Sequence, residues 1–130
     1  MLPWDLEDWI TDTGADVLEK RLANANALSS IEELIYQIWL LDTEARNGGM
    51  SQYFCNHGVE QWQACQAVAH AGKLSAFVPF SDALNSIVAG TPDPYFAIRE
   101  LGDPAEDLWL RYQLGVVQQL KGLWHNEASC

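Results

Sequence analysis

The chain has 130 residues, nearly half of them apolar and six of them Trp, which excludes a disordered chain and fits one domain with a real core. Seven bases against 18 acids leave a formal charge of −11. That balance excludes direct binding to nucleic acid or an anionic membrane, both of which need a basic face, and favours a basic partner or simple solubility.

The first 27 residues read as an acidic segment of two helical stretches. Pro3 or Trp4 opens the first, which runs to about Ile10. Thr13 caps the second, with Asp16 as the capping-box acid. Gly14 argues against one continuous helix. Leu6, Ile10, Val17 and Leu18 supply an apolar side, and Asn24-Ala25-Asn26 is a connection.

The main helix follows. Ser29 or Ser30 caps it, since Glu32 and Glu33 each lie three residues on. Ile31, Leu34, Ile35, Ile38, Leu41 and Ala45 recur at steps that keep one face apolar, and Trp39 and Leu40 widen that face. The helix is predicted to be central and to end at Arg46, with Gly48 taking the positive-φ position beyond it and Gly49 reversing the chain again. A short helix carries Met50, Tyr53, Phe54 and His57, and Gly58 is its stop. Val59 to Ala71 forms another helix, closed by Gly72. A further helix is predicted from about Phe80 to Gly90, after Pro79. Residues 91–94 are a loop, and Tyr95 to Leu101 is a short turn of helix or irregular. Asp103 is expected to cap the last long helix, with Pro104 first and Glu106 third, running to Trp124. The expected fold is all-α: one domain of about six helices around an apolar helix that ends in a Gly-Gly turn.

Few residues point to a reaction. Cys55, His57, Cys65 and His70 fall within sixteen residues, but no CxxC or HExxH is present. Cys65 and His70 lie about 140° apart round a helix and do not converge. No metal, cofactor or catalytic residue is assigned. No GxSxG elbow or phosphate-cradling loop occurs. An odd cysteine count, Cys55, Cys65 and Cys130, fits a reducing compartment. Neither a signal peptide nor an apolar run of the roughly 18 residues that span a bilayer is visible, so the cytoplasm is expected.

The acids are the stronger feature. Asp5, Asp8, Asp12, Asp16 and Glu19 step by three or four residues. On one continuous helix they would form a row spaced about 5 to 6 Å apart, close to the separation of phosphates along a DNA strand. Asp93, Glu100, Asp103, Glu106 and Asp107 form a second cluster with only Arg99 nearby. Two such rows could imitate a duplex backbone to a basic protein. The plainer alternative is a solvated face plus capping acids.

One further stretch is distinctive: Glu44, Asn47, Gly48, Gly49, Met50, Gln52, Tyr53, Phe54 and Asn56. Glu44, Asn47 and Gln52 form either a polar site or the internal hydrogen bonds of a tight corner, with Glu44 able to accept from backbone N–H groups freed by the glycines. The pattern Glu-x-x-Asn-Gly-Gly-x-x-Gln-Tyr-Phe-x-Asn resembles the signature of a bacterial DNA-mimic protein family, largely of unknown function. The preceding helix, with Tyr36, Trp39 and Leu40, resembles it too. The resemblance runs roughly from Ile31 to Trp124, which divides the domain into the N-terminal segment 1–27 and a family core 28–125; Met50 stands where Phe is often found. It implies an all-helical domain with no established enzymatic activity, whose best-known member is a DNA mimic that binds a transcription regulator. Charge and resemblance together give a non-enzymatic acidic binding protein, a DNA mimic for the DNA-binding face of a regulator or other basic protein. An immunity-type inhibitor of a toxin such as a nuclease is the rival class, and a hydrolase the third. Homodimerisation is left open.

Overall fold

The computed structural model describes residues 2–128, so Met1 and Cys130 lie outside it. Six helices follow in chain order: α1 Trp4–Ala23, α2 Ser30–Ala71, α3 Phe77–Val88, α4 Pro94–Leu101, α5 Asp103–Glu106 and α6 Leu108–Ala128. Helices α1, α4 and α6 all pack on α2, and α3 closes over α6 and α4. The result is the all-α single domain that periodicity predicts.

Helix α1 is one unbroken helix, not two. Gly14 is buried inside it, and a Cβ there would lie 2.0 Å from Trp39 Cδ1. The missing side chain is what lets the Trp39 ring of α2 lie against the α1 backbone, and that packing outweighs the weak helix propensity of glycine. Leu6, Ile10 and Val17 are buried along the same stripe.

Helix α2 begins as its sequence dictates. The Ser29 side chain accepts from Glu32 N at 3.3 Å, and Glu32 Oε1 accepts from Ser29 N at 3.0 Å, a complete capping box. Two interruptions divide α2 into stretches 30–47, 50–57 and 59–71. At the first, Gly49 rather than Gly48 takes the positive φ (81°, with ψ 178°), while Gly48 sits at φ −147°. At the second, Gly58 has φ 80°, in agreement with its reading as a stop.

Three other boundaries move. Helix α3 starts at Phe77, because Pro79 falls in the first turn, where no backbone N–H is needed. Residues 94–101 are a true helix, capped by Asp93, whose carboxylate accepts from Phe96 N at 3.1 Å. Asp103 caps nothing with its side chain; it opens the four-residue α5, and the long helix α6 starts at Leu108 and runs past Trp124.

The aromatic part of the core lies between α2, α3 and α6. Tyr53, Phe54, Trp62, Phe77, Phe80 and Trp109 form a chain of rings with neighbouring centroids 5.0 to 6.5 Å apart, within the range of edge-to-face packing. Beside it sits a fully buried acid, Asp42. Its Oδ1 accepts from Trp109 Nε1 at 2.9 Å and from Gln113 Nε2 at 2.7 Å, both on α6. Arg46 Nε lies 2.9 Å from Oδ2 as an ion contact whose N–H is not aligned for a hydrogen bond, and Arg46 Nη1 reaches Glu7 on α1 at 3.0 Å.

Two measurements check this account. Gly49→Ala is expected to cost roughly 1–3 kcal/mol of stability by denaturant titration, because its backbone lies where only glycine sits cheaply and the new Cβ would lie 2.8 Å from Glu106 Oε1. Gly48→Ala should cost less, since its Cβ meets the mobile end of Gln52. The second check uses pH. The Glu32 carboxyl is held below its ordinary 4.5, chiefly by the Ser29 N–H and also by Lys20. A carboxyl lowered on folding adds stability above its unfolded value and loses it as pH falls through the folded one. The acid limb of a stability–pH curve should therefore flatten in Glu32→Gln.

Candidate functional site

The outward face of α1 carries the longest run of unneutralised charge. Leu6, Ile10, Gly14 and Val17 face inward, so Asp5, Asp8, Asp12, Asp16 and Glu19, three or four residues apart, all stand exposed. Continuity through Gly14 keeps them in one row. None of the five makes an ion pair among the described residues. The bases nearest in sequence are engaged elsewhere: Lys20 Nζ binds Glu32 at 2.9 Å, and Arg21 Nη1 lies 3.8 Å from Glu33 and over the Tyr36 ring. Glu7, on the flank of the row, pairs with Arg46.

The second cluster divides. Asp93, Glu100, Asp103 and Asp107 are exposed, with Asp93 also serving as the α4 cap. Glu106 is largely withdrawn from the surface. Its side chain is 12 % exposed and turned inward. Glu106 Oε1 accepts from Ser51 N at 2.7 Å, Oε2 accepts from Ser51 Oγ at 2.7 Å, and Arg99 Nη1 lies 3.3 Å from Oε2. It thus satisfies a backbone donor just past the glycine corner. Helix α1 packs on α2 and α6, whereas α4 packs on α2, α3 and α5, so the helices that carry the two acidic groups share α2 and differ in their other neighbours.

At the corner itself, Glu44 serves side chains rather than the backbone N–H groups expected from the sequence. It accepts from Gln52 Nε2 at 3.4 Å and from Asn56 Nδ2, and His57 Nε2 lies 3.9 Å away. Asn47 and Gly48 are exposed at the outside of the bend. Tyr53 and Phe54 belong to the core. The Tyr53 hydroxyl is buried without a hydrogen-bond partner among the described residues, and burial pushes its pKa up. Burial likewise pushes the Cys65 thiol up to about 12, which keeps it neutral and unreactive near pH 7. Among the described residues no three His, Cys, Asp or Glu groups converge as a metal site, and no helix is long and apolar enough to cross a membrane.

The match that decides the family covers residues 26–112, two thirds of the chain. The chain belongs to the DMP19-like protein family. The match starts just ahead of α2 and ends at Tyr112, within α6, so it begins before and stops short of the span its motif suggests. Helix α1, with its row of acids, lies outside the matched residues. Neither a curated relative nor a solved structure matches the chain.

A structural Glu106 has a measurable signature. Glu106→Ala leaves Ser51 N and Oγ without their acceptor and is expected to lower stability by about 2–4 kcal/mol in urea titration. Asp107→Ala, one residue along and exposed, should stay within about 0.5 kcal/mol of the parent.

Proposed function

We propose that this chain is a non-enzymatic acidic binding protein and a DNA mimic, which occupies the DNA-binding face of a transcription regulator or another basic protein. The observation that carries the reading is the exposed row Asp5, Asp8, Asp12, Asp16 and Glu19 on one continuous helix. At 1.5 Å per residue, steps of three and four residues put successive carboxylates about 5 Å apart along the axis. A surface that binds a line of phosphates meets a similar line of negative charge. Membership in the DMP19-like family supports the same reading.

The remaining features fit. A charge of −11 steers a basic partner toward the protein and repels nucleic acid. Glu100, Asp103 and Asp107 offer a second contact zone. The proposal includes a cytoplasmic location, since Cys55 and Cys65 are unbridged thiols that suit a reducing compartment.

The test is capture of partners from the native cell with the intact chain, followed by competition. The captured protein should bind DNA, duplex DNA should displace it, and added salt should weaken the complex. Asp5→Asn, Asp8→Asn and Asp12→Asn together should weaken binding on the order of tenfold or more, with the melting temperature nearly unchanged. Neutralising Glu100, Asp103 and Asp107 together tests the second zone. A partner that does not bind DNA, or full affinity after both triple changes, refutes the reading.

A further inference from the structure

A cleft of about 500 Å³ opens between the end of α2 and the start of α3, within the size range of small-ligand sites. None of its lining residues belongs to the acidic row, the second acidic cluster or the glycine corner. Its floor is apolar, built from Ala69, Leu74 and Phe77, all buried. One wall is a fixed polar set. Gln66 Oε1 accepts from Ser81 Oγ at 2.9 Å and from Asn85 Nδ2 at 2.7 Å, and Asn85 Oδ1 accepts from the buried Trp62 Nε1 at 2.9 Å. Those bonds hold the amides in one orientation.

Two opposite charges, Lys73 and Asp82, also line the cleft. Both are exposed, and neither makes an ion pair with the other or with any described residue. Lys73 further occupies a strained position. It follows Gly72 at the end of α2 with φ 58°, the one non-glycine among the described residues with a positive φ. Leu74 N closes back on Ala69 O at 3.0 Å across it, so Lys73 stands where helices most often place glycine. A lysine at a site that favours glycine and an acid without an ion-pair partner thus border one cleft.

We infer that this cleft binds a small zwitterion with an apolar body, of the class of a free apolar α-amino acid: carboxylate toward Lys73, ammonium toward Asp82, side chain over Leu74 and Phe77. A purely anionic ligand would leave Asp82 opposed, and a purely cationic one would leave Lys73 opposed. His70, also on the cleft, adds a donor on the Lys73 side. The apolar floor excludes water from one flank of the ligand and strengthens both charge contacts.

The test uses the full chain and three probes: L-phenylalanine, N-acetyl-L-phenylalanine and L-phenylalaninamide. The Trp62 indole N–H signal in a nitrogen–proton correlation spectrum reports on the cleft through its bond to Asn85. L-Phenylalanine should shift that signal saturably, and each blocked form should bind at least tenfold more weakly. Lys73→Gly should weaken L-phenylalanine binding at least tenfold while the melting temperature holds or rises, because glycine suits the backbone there. Asp82→Asn should weaken L-phenylalanine but leave N-acetyl-L-phenylalanine bound as well as before or better. Equal affinity for all three probes, no shift of the Trp62 signal at millimolar L-phenylalanine, or full affinity in Lys73→Gly overturns the inference. Since the acidic row is untouched by these variants, their outcome is independent of partner binding.

Discussion

The Asp42 carboxylate is the constraint around which the helices are arranged. A buried carboxylate is costly unless charge and hydrogen bonds compensate it. Here the compensation comes from two helices at once: Arg46 one turn along α2, and Trp109 and Gln113 on α6. Arg46 then reaches Glu7, so a line of polar contacts runs from α6 through α2 to α1. Apolar packing alone tolerates sliding; a buried charge with directional partners does not. The aromatic chain gains its register from the same contacts, since Trp109 is both a donor to Asp42 and the neighbour of Phe80 at 5.0 Å.

What the sequence made legible was local. The Ser29–Glu32 capping box, the stops at Gly58 and Gly72 and the apolar stripe of the main helix follow from residues within a few positions of one another, and all stand in the structure. Two of the misreadings have a different cause, and the third is local. Gly14 looks like a helix breaker until Trp39, 25 residues on, is seen lying against it. Glu106 looks like a surface acid or a capping-box residue until Ser51, 55 residues before it, is found in its grip. Gly48 and Gly49 are adjacent, and which of them takes the positive φ depends on how the next helical stretch must leave the corner. The first two errors were settled by a partner distant in the chain, which no pattern of spacing reveals.

The same limit applies to the candidate sites. The α1 row was visible as a periodicity, and the structure exposes all five of its members. The second cluster was visible only as composition, and it loses Glu106 to the interior. The cleft beside α3 had no sequence signal, because its lining comes from the end of one helix, a short connection and the start of the next. Lys73 follows a glycine, and spacing cannot tell a strained lysine from an ordinary loop residue.

Helix α1 divides its labour between two faces that do not share residues. Leu6, Ile10, Gly14 and Val17 hold it to the body, while Asp5, Asp8, Asp12, Asp16 and Glu19 stand exposed. In evolutionary terms the outer positions are nearly free of the fold. A lineage can add, remove or shift a carboxylate there without disturbing the core, as long as the inner stripe is kept. Acidic pattern and scaffold can therefore diversify at different rates, and relatives with the same helices need not carry the same charge on their outer face.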